Sequence, residues 1–112
     1  MPYVYFVQPN ELVGTMCYKI GMSELDNLSR AKSYGNGTRY LCIIECDDAR
    51  SVERRLIETF RCKFTCVRGY EYFEIISEAD TLELFIKTVM EYKDQNDTPI
   101  KQQWMDKFAF KA

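Results

Sequence analysis

The sequence predicts a small α/β or α+β domain built on a central antiparallel sheet flanked by helices. Three observations lead there. The chain has 112 residues, a length that suits one domain. Its hydrophobic share of 46% is enough to bury a core. Strand-like and helix-like segments follow one another in the order β-β-α-β-α-β-α, the pattern of a mixed domain.

Each element has its own signal. Residues 3–7 are aromatic and β-branched, as strands are. Residues 8–16 hold Pro9, Asn10 and Gly14, a loop of hairpin character, and residues 17–21 form a second short strand. Ser23, with Asp26 three residues on, starts a first helix with an apolar stripe of Leu25, Leu28 and Ala31, and Gly35-Asn36-Gly37 stops it. Residues 38–46 read as a third strand. Asp47 and Asp48 can cap a second helix running to about Phe60. A basic connector leads to a strand over residues 70–76. Ser77, with Asp80, then opens a third helix in which Leu82, Phe85, Ile86, Val89 and Met90 keep helical spacing. Residues 1–76 are expected to form the core of the domain. Residues 77–112 add a helix and an aromatic tail (Trp104, Phe108, Phe110) that pack on it.

Composition removes several kinds of chemistry. There is no histidine, which excludes Ser-His-Asp and Cys-His nucleophiles, His-ligated zinc enzymes and any His general base. No run of 18 apolar residues occurs, so no membrane span is expected. The N-terminus lacks the basic region and cleavage site of a signal peptide, and an intracellular location is expected. Five cysteines are an odd number for a disulfide framework in that setting, so most are expected to be reduced and buried. The net charge of -2 hides an asymmetry. Residues 1–69 carry ten Lys/Arg against eight Asp/Glu, whereas residues 70–112 carry five against nine. Phosphate contacts should therefore come from the first two thirds of the chain.

Three groups of residues invite a chemical reading. Projected at about 100° per residue, the second helix places Ala49, Val52, Leu56, Ile57 and Phe60 in one stripe, and Glu53 falls inside it. A carboxylate on an apolar face costs several kcal/mol unless a cation or hydrogen bonds meet it. The partner is either an arginine in a structural salt bridge or a divalent metal. Arg30 and Tyr34, four apart, are neighbours on the first helix. They are either an exposed helix face or a guanidinium and phenol that suit a phosphate oxygen gaining charge. Tyr3 and Tyr5 share a face of the first strand, and Tyr18 and Lys19 sit on the next. Strand tyrosines usually pack, but phenols, amines and carboxylates are the proton acceptors left without histidine.

In this order, Tyr3-Val4-Tyr5, Tyr18-Lys19-Ile20-Gly21, Arg30 with Tyr34 and Glu53 on a helix resemble the motifs of the GIY-YIG nuclease superfamily. The likeness is greatest to the short phage- and large-virus-type domains whose second motif reads KIG. Those domains often carry a later Gly-x-Glu-aromatic-Phe segment, matched here by Gly69-Tyr70-Glu71-Tyr72-Phe73. The resemblance covers roughly residues 3–75. It implies a metal-dependent DNA endonuclease that hydrolyses phosphodiester bonds. Tyr5 would act as general base or orient the attacking water. Arg30 would stabilise the pentavalent phosphate with Tyr34 beside it. Glu53 would be the single carboxylate holding Mg²⁺ or Mn²⁺, the remaining positions going to water and phosphate. Tyr3, Tyr18, Lys32 and Arg54 are expected to contact the DNA.

The chain departs from the family pattern in three places. Tyr3 stands where the first motif begins with Gly. Lys19 takes the second tyrosine position, as in some members, and shares with Tyr5 the candidacy for base. The late asparagine has no equivalent, and Glu71 lies near that part of the pattern without an assigned role. Two other readings stay open. One is a nucleic-acid-binding module on the same fold that has lost catalysis. The other is a zinc-stabilised interaction domain using Cys42-x-x-x-Cys46 and Cys62-x-x-x-Cys66. No targeting module is visible, so target choice would rest on DNA shape, a homodimer or a partner protein.

Overall fold

The computed structural model describes residues 2–24 and 34–96. The expected first helix, with Arg30 and Lys32, lies outside the described residues, as does the aromatic tail. The described residues form an α+β domain with one five-stranded antiparallel sheet, in the order β3-β1-β2-β5-β4. The strands are β1 (Tyr3–Gln8), β2 (Cys17–Ser23), β3 (Arg39–Glu45), β4 (Thr65–Arg68) and β5 (Tyr72–Glu74). Two helices, α1 (Ala49–Lys63) and α2 (Glu78–Asn96), complete it.

Each helix starts where the sequence supplies a cap. The Asp48 carboxylate accepts from the backbone N–H of Ser51 (3.2 Å), which satisfies one of the donors a helix start leaves open. Hydrogen bonding by the Ser51 side chain, and then by its backbone N–H, holds the Asp48 carboxyl below its usual range. The Ser77 hydroxyl accepts from the N–H of Asp80 (3.3 Å), with Glu78 and Asp80 in the first turn where acidic groups suit the helix dipole. α1 runs past Phe60 to Lys63. Ser23, expected to begin a helix, is the buried last residue of β2, opposite Tyr3.

Strand alternation divides the sheet's two faces. Val4 and Phe6 of β1 and Tyr18 and Ile20 of β2 point to the side covered by the helices. There they join Val52, Leu56 and Phe60 of α1 and Phe85 and Val89 of α2 in one core. Aromatic rings dominate it. Phe6 stacks on Tyr18 and Phe85 (centroids 5.4 and 5.6 Å) and meets Phe60 edge-on (5.9 Å). Such pairs contribute roughly 0.5–1.5 kcal/mol each beyond their burial. Ile86 and Met90, expected in the core stripe of α2, are exposed. The stripe that packs runs through Leu82, Phe85, Val89 and Tyr92 instead.

β4 occupies part of the segment expected to be a connector. It is an edge strand with a register shift between Cys66 and Arg68, as edges commonly have. The cysteines are free thiols, but only Cys46 is buried. Cys17, Cys42 and Cys66 are half-buried and Cys62 is exposed, which corrects the expectation that most are buried. Among the described residues no helix is long and apolar enough to cross a membrane.

Candidate functional site

The face of the sheet away from α1 and α2 carries a polar cluster inherited from alternation in β1 and β2. Val4, Phe6 and Tyr18 turn toward the helices, so Tyr5 and Lys19 turn the other way. Tyr5 pairs with Gly21 across the ladder. A β-carbon on Gly21 would stand 2.5 Å from the Tyr5 hydroxyl, so only glycine lets the phenol lie flat there. Tyr34 comes from just before the Gly35-Asn36-Gly37 turn. Its carbonyl accepts from the Thr38 hydroxyl (3.1 Å), which in turn accepts from the Asn10 N–H (3.1 Å). Gly37, at φ +86°, lies against the Asn10 side chain, leaving no room for a β-carbon.

These supports bring three groups into one chain. The Tyr5 and Tyr34 hydroxyls are 3.0 Å apart, and the Lys19 ammonium donates to the Tyr34 hydroxyl (2.6 Å). Glu71 closes the chain with an ion pair to Lys19 (3.0 Å). The ammonium also sits over the rings of Tyr34 and Tyr72, at 5.0 and 5.6 Å from their centroids. Lys19 is only 6% exposed, and a cation so enclosed needs this set of partners to offset its lost hydration. Tyr5 has no exposed surface at all, while Tyr34 is half-buried. Tyr34 is therefore the phenol of the pair with surface open to solvent, and Tyr5 lies behind it.

Tyr18, expected to contact DNA, does not belong to this cluster. Being next to Lys19 on a strand, it points the opposite way. It is 7% exposed within the core, and its hydroxyl donates to Glu78 (2.7 Å). Burial and the acceptor carboxylate push its phenol pKa up. The same hydrogen bond, together with Arg39, holds Glu78 below the usual carboxylate range. Arg39 bridges Glu78 (2.7 Å) and the buried Gln8 (2.8 Å). The group fastens the start of α2 to the sheet. Tyr3 is half-buried.

Glu53 is half-buried at the margin of the α1 stripe, whose buried members are Ala49, Val52, Leu56 and Phe60. It lines a recess of about 340 Å³ with Arg50, Arg54, Ile57, Glu58, Arg61 and Tyr70. A second recess of about 210 Å³ is lined by Arg68, Gly69, Tyr70, Glu71 and Tyr72. Tyr70 is common to both. The Glu53 recess thus adjoins the segment whose Glu71 and Tyr72 hold Lys19.

The recess around Glu53 presents carboxylates alongside the guanidinium groups of Arg50, Arg54 and Arg61. Two carboxylates, Glu53 and Glu58, line the recess, and magnesium is commonly held by one or two with waters completing its shell. Among the described residues no three acids or cysteines gather, so neither a cage of protein ligands nor a cysteine zinc site forms there.

Sequence reasoning matched Gly69-Tyr70-Glu71-Tyr72-Phe73 as a segment but gave Tyr70, Glu71 and Tyr72 no role. The Lys19–Glu71 contact joins β2 to the turn before β5, and no spacing rule reaches across that distance. No family model, characterised protein or solved structure matches the chain.

Proposed function

We propose that the protein is a metal-dependent endonuclease that hydrolyses DNA phosphodiester bonds, with chemistry of the GIY-YIG type. One observation supports this reading above the others. The Lys19–Tyr34–Tyr5 chain and the Glu53 recess are separate constructions, and they adjoin at the Tyr70–Tyr72 segment. The chain supplies phenols and an ammonium on the sheet face away from α1, the recess supplies a carboxylate on α1, and these are groups that phosphate hydrolysis can use when no histidine is present.

Each group has a task. Tyr34 orients the attacking water, held in place by hydrogen bonds from Lys19 and with Tyr5. Lys19 adds positive charge on the side where the phosphate becomes more negative. Arg30 contributes a second positive charge. Arg54, exposed on α1 beside Glu53, holds a flanking phosphate. Glu53 would hold Mg²⁺ or Mn²⁺, and the ion would supply polarisation of a phosphate oxygen and activation of water. The new P–O bond forms as the bond to the leaving oxygen breaks. The water's proton passes to the half-buried Tyr34 oxygen as Tyr34 releases its own to solvent, and the leaving oxygen takes one from solvent.

The enclosure of the cluster favours a second reading. Tyr5 and Lys19 are nearly sealed, and their polar atoms satisfy one another. A module that binds nucleic acid without cutting it would also keep such a cluster as structure. Nicking of supercoiled plasmid separates the two. Cleavage that requires Mg²⁺ or Mn²⁺ and vanishes in Glu53→Ala, with the circular dichroism spectrum unchanged, supports the nuclease. DNA binding without nicking under either metal rejects it.

A further inference from the structure

We infer that Tyr70 is a stacking platform for an unpaired base, so that the preferred ligand is single-stranded or locally opened nucleic acid rather than intact duplex. The inference rests on the nucleic-acid reading above but not on catalysis. Tyr70 sits at the tip of the β4–β5 turn, just after Gly69 (φ +55°), and is 62% exposed. A ring so placed contributes little to the core. It stands instead as the shared wall of the two recesses.

The chemistry on either side of the ring differs. On the α1 side are Arg50, Arg54 and Arg61 with Glu53 and Glu58. Arg50 is held by Glu24 (2.8 Å), whereas Arg54 and Arg61 make no ion pair among the described residues. Seven residues apart on one helix, these two lie about 10 Å apart along its axis. On the other side the Arg68 guanidinium lies over the Tyr72 ring (4.4 Å), a flat cationic and aromatic floor. Arg54 and Arg61 can hold two phosphates of one strand while the exposed phenol ring takes the face of a base between them. Every base has such a face, so the contact is tolerant of sequence. A paired base stacked within a duplex does not offer it.

Fluorescence anisotropy with the full chain, in chelator and without divalent metal, tests this. The probes are a labelled oligothymidylate and a labelled blunt-ended duplex without a loop. Tighter binding to the oligothymidylate is expected. Tyr70→Ala should weaken that binding by roughly 5- to 150-fold and leave the duplex nearly unaffected, and Tyr70→Phe should restore it. Arg54→Ala should weaken both probes alike. Equal affinity for the two probes, or an unchanged oligothymidylate affinity in Tyr70→Ala, overturns the inference. Because no cleavage is read, a protein that fails to nick plasmid but shows the Tyr70 dependence keeps this inference and loses the nuclease. One that nicks plasmid but lacks the dependence does the reverse.

Discussion

The Tyr5 ring lies directly over the backbone of Gly21, its partner across the β1–β2 ladder. The phenol can reach the Tyr34 hydroxyl only because Gly21 carries no side chain. Gly21→Ala should therefore displace the ring while leaving the sheet paired, since Gly21 does not have a left-handed φ. A stability loss of about 1–3 kcal/mol is expected from overpacking, read by urea denaturation. Plasmid nicking should fall more steeply than stability, because Tyr34 loses the group behind it. A variant with full stability and full activity would remove the contact from the account.

The two ends of the Lys19–Glu71 pair should respond differently to removal. Glu71→Ala leaves an almost fully buried ammonium without its carboxylate and should cost about 3 kcal/mol or more. Lys19→Met removes the buried charge and leaves Glu71, whose side chain is 26% exposed, able to turn to water. That variant should be less destabilised, or even stabilised, yet inactive in nicking. Denaturation midpoints of the two variants, measured side by side, check the order.

Catalytic losses should follow exposure in the phenol pair. Tyr34→Phe removes the hydroxyl that can face substrate, whereas Tyr5→Phe removes only its support. Tyr34→Phe should lose roughly 100-fold or more in cleavage rate, and Tyr5→Phe less. Arg30→Ala should lose roughly 100- to 1000-fold, as when one charge contact to the transition state is deleted. Single-turnover rates on one labelled DNA duplex give the comparison. Equal losses for the two tyrosines would return the base assignment to Tyr5.

Stability should decline at both ends of the pH scale through Tyr18 and Glu78. The folded-state pKa of Glu78 is lowered, first by the Tyr18 hydrogen bond. Its contribution is complete above the ordinary value of 4.5 and drains away as pH falls through the lowered folded value. Tyr18 is raised. Its contribution is complete below the ordinary value of 10.0 and is lost as pH climbs through the higher folded value. Tyr18→Phe should flatten both limbs of a plot of urea midpoint against pH. Limbs as steep as those of the unaltered protein would place the titration elsewhere.

Much of the fold was legible because local rules decide it. Asp48 and Ser77 cap the helices as their residue types suggest, and β1, β2 and β3 follow their apolar runs. β4 was not legible, since Thr65, Val67 and Arg68 lie exposed on a sheet edge and show no burial-driven alternation. At the candidate site the outcome was mixed. Alternation placed Tyr5 and Lys19 on one face, and the same rule applied one residue earlier would have turned Tyr18 inward. Tyr34 was read beside Arg30 by helical spacing, but its contacts with Tyr5 and Lys19 span 29 and 15 residues. Glu53 lines a recess rather than the centre of the apolar stripe, because the stripe is narrower than its projection.

The pairing of β2 against β1 also bears on which changes in chain length the protein can accept. The register sets Val7 beside Lys19 and Phe6 beside Ile20. Losing one residue within β2 would send the ammonium among Phe6, Phe60 and Phe85 and turn Ile20 out toward the tyrosines, since a slip of one exchanges the faces. Length changes in the stretch between Gln8 and Cys17 leave that register alone. Homologues should accordingly vary in the size of this connection while keeping the spacing within both strands fixed.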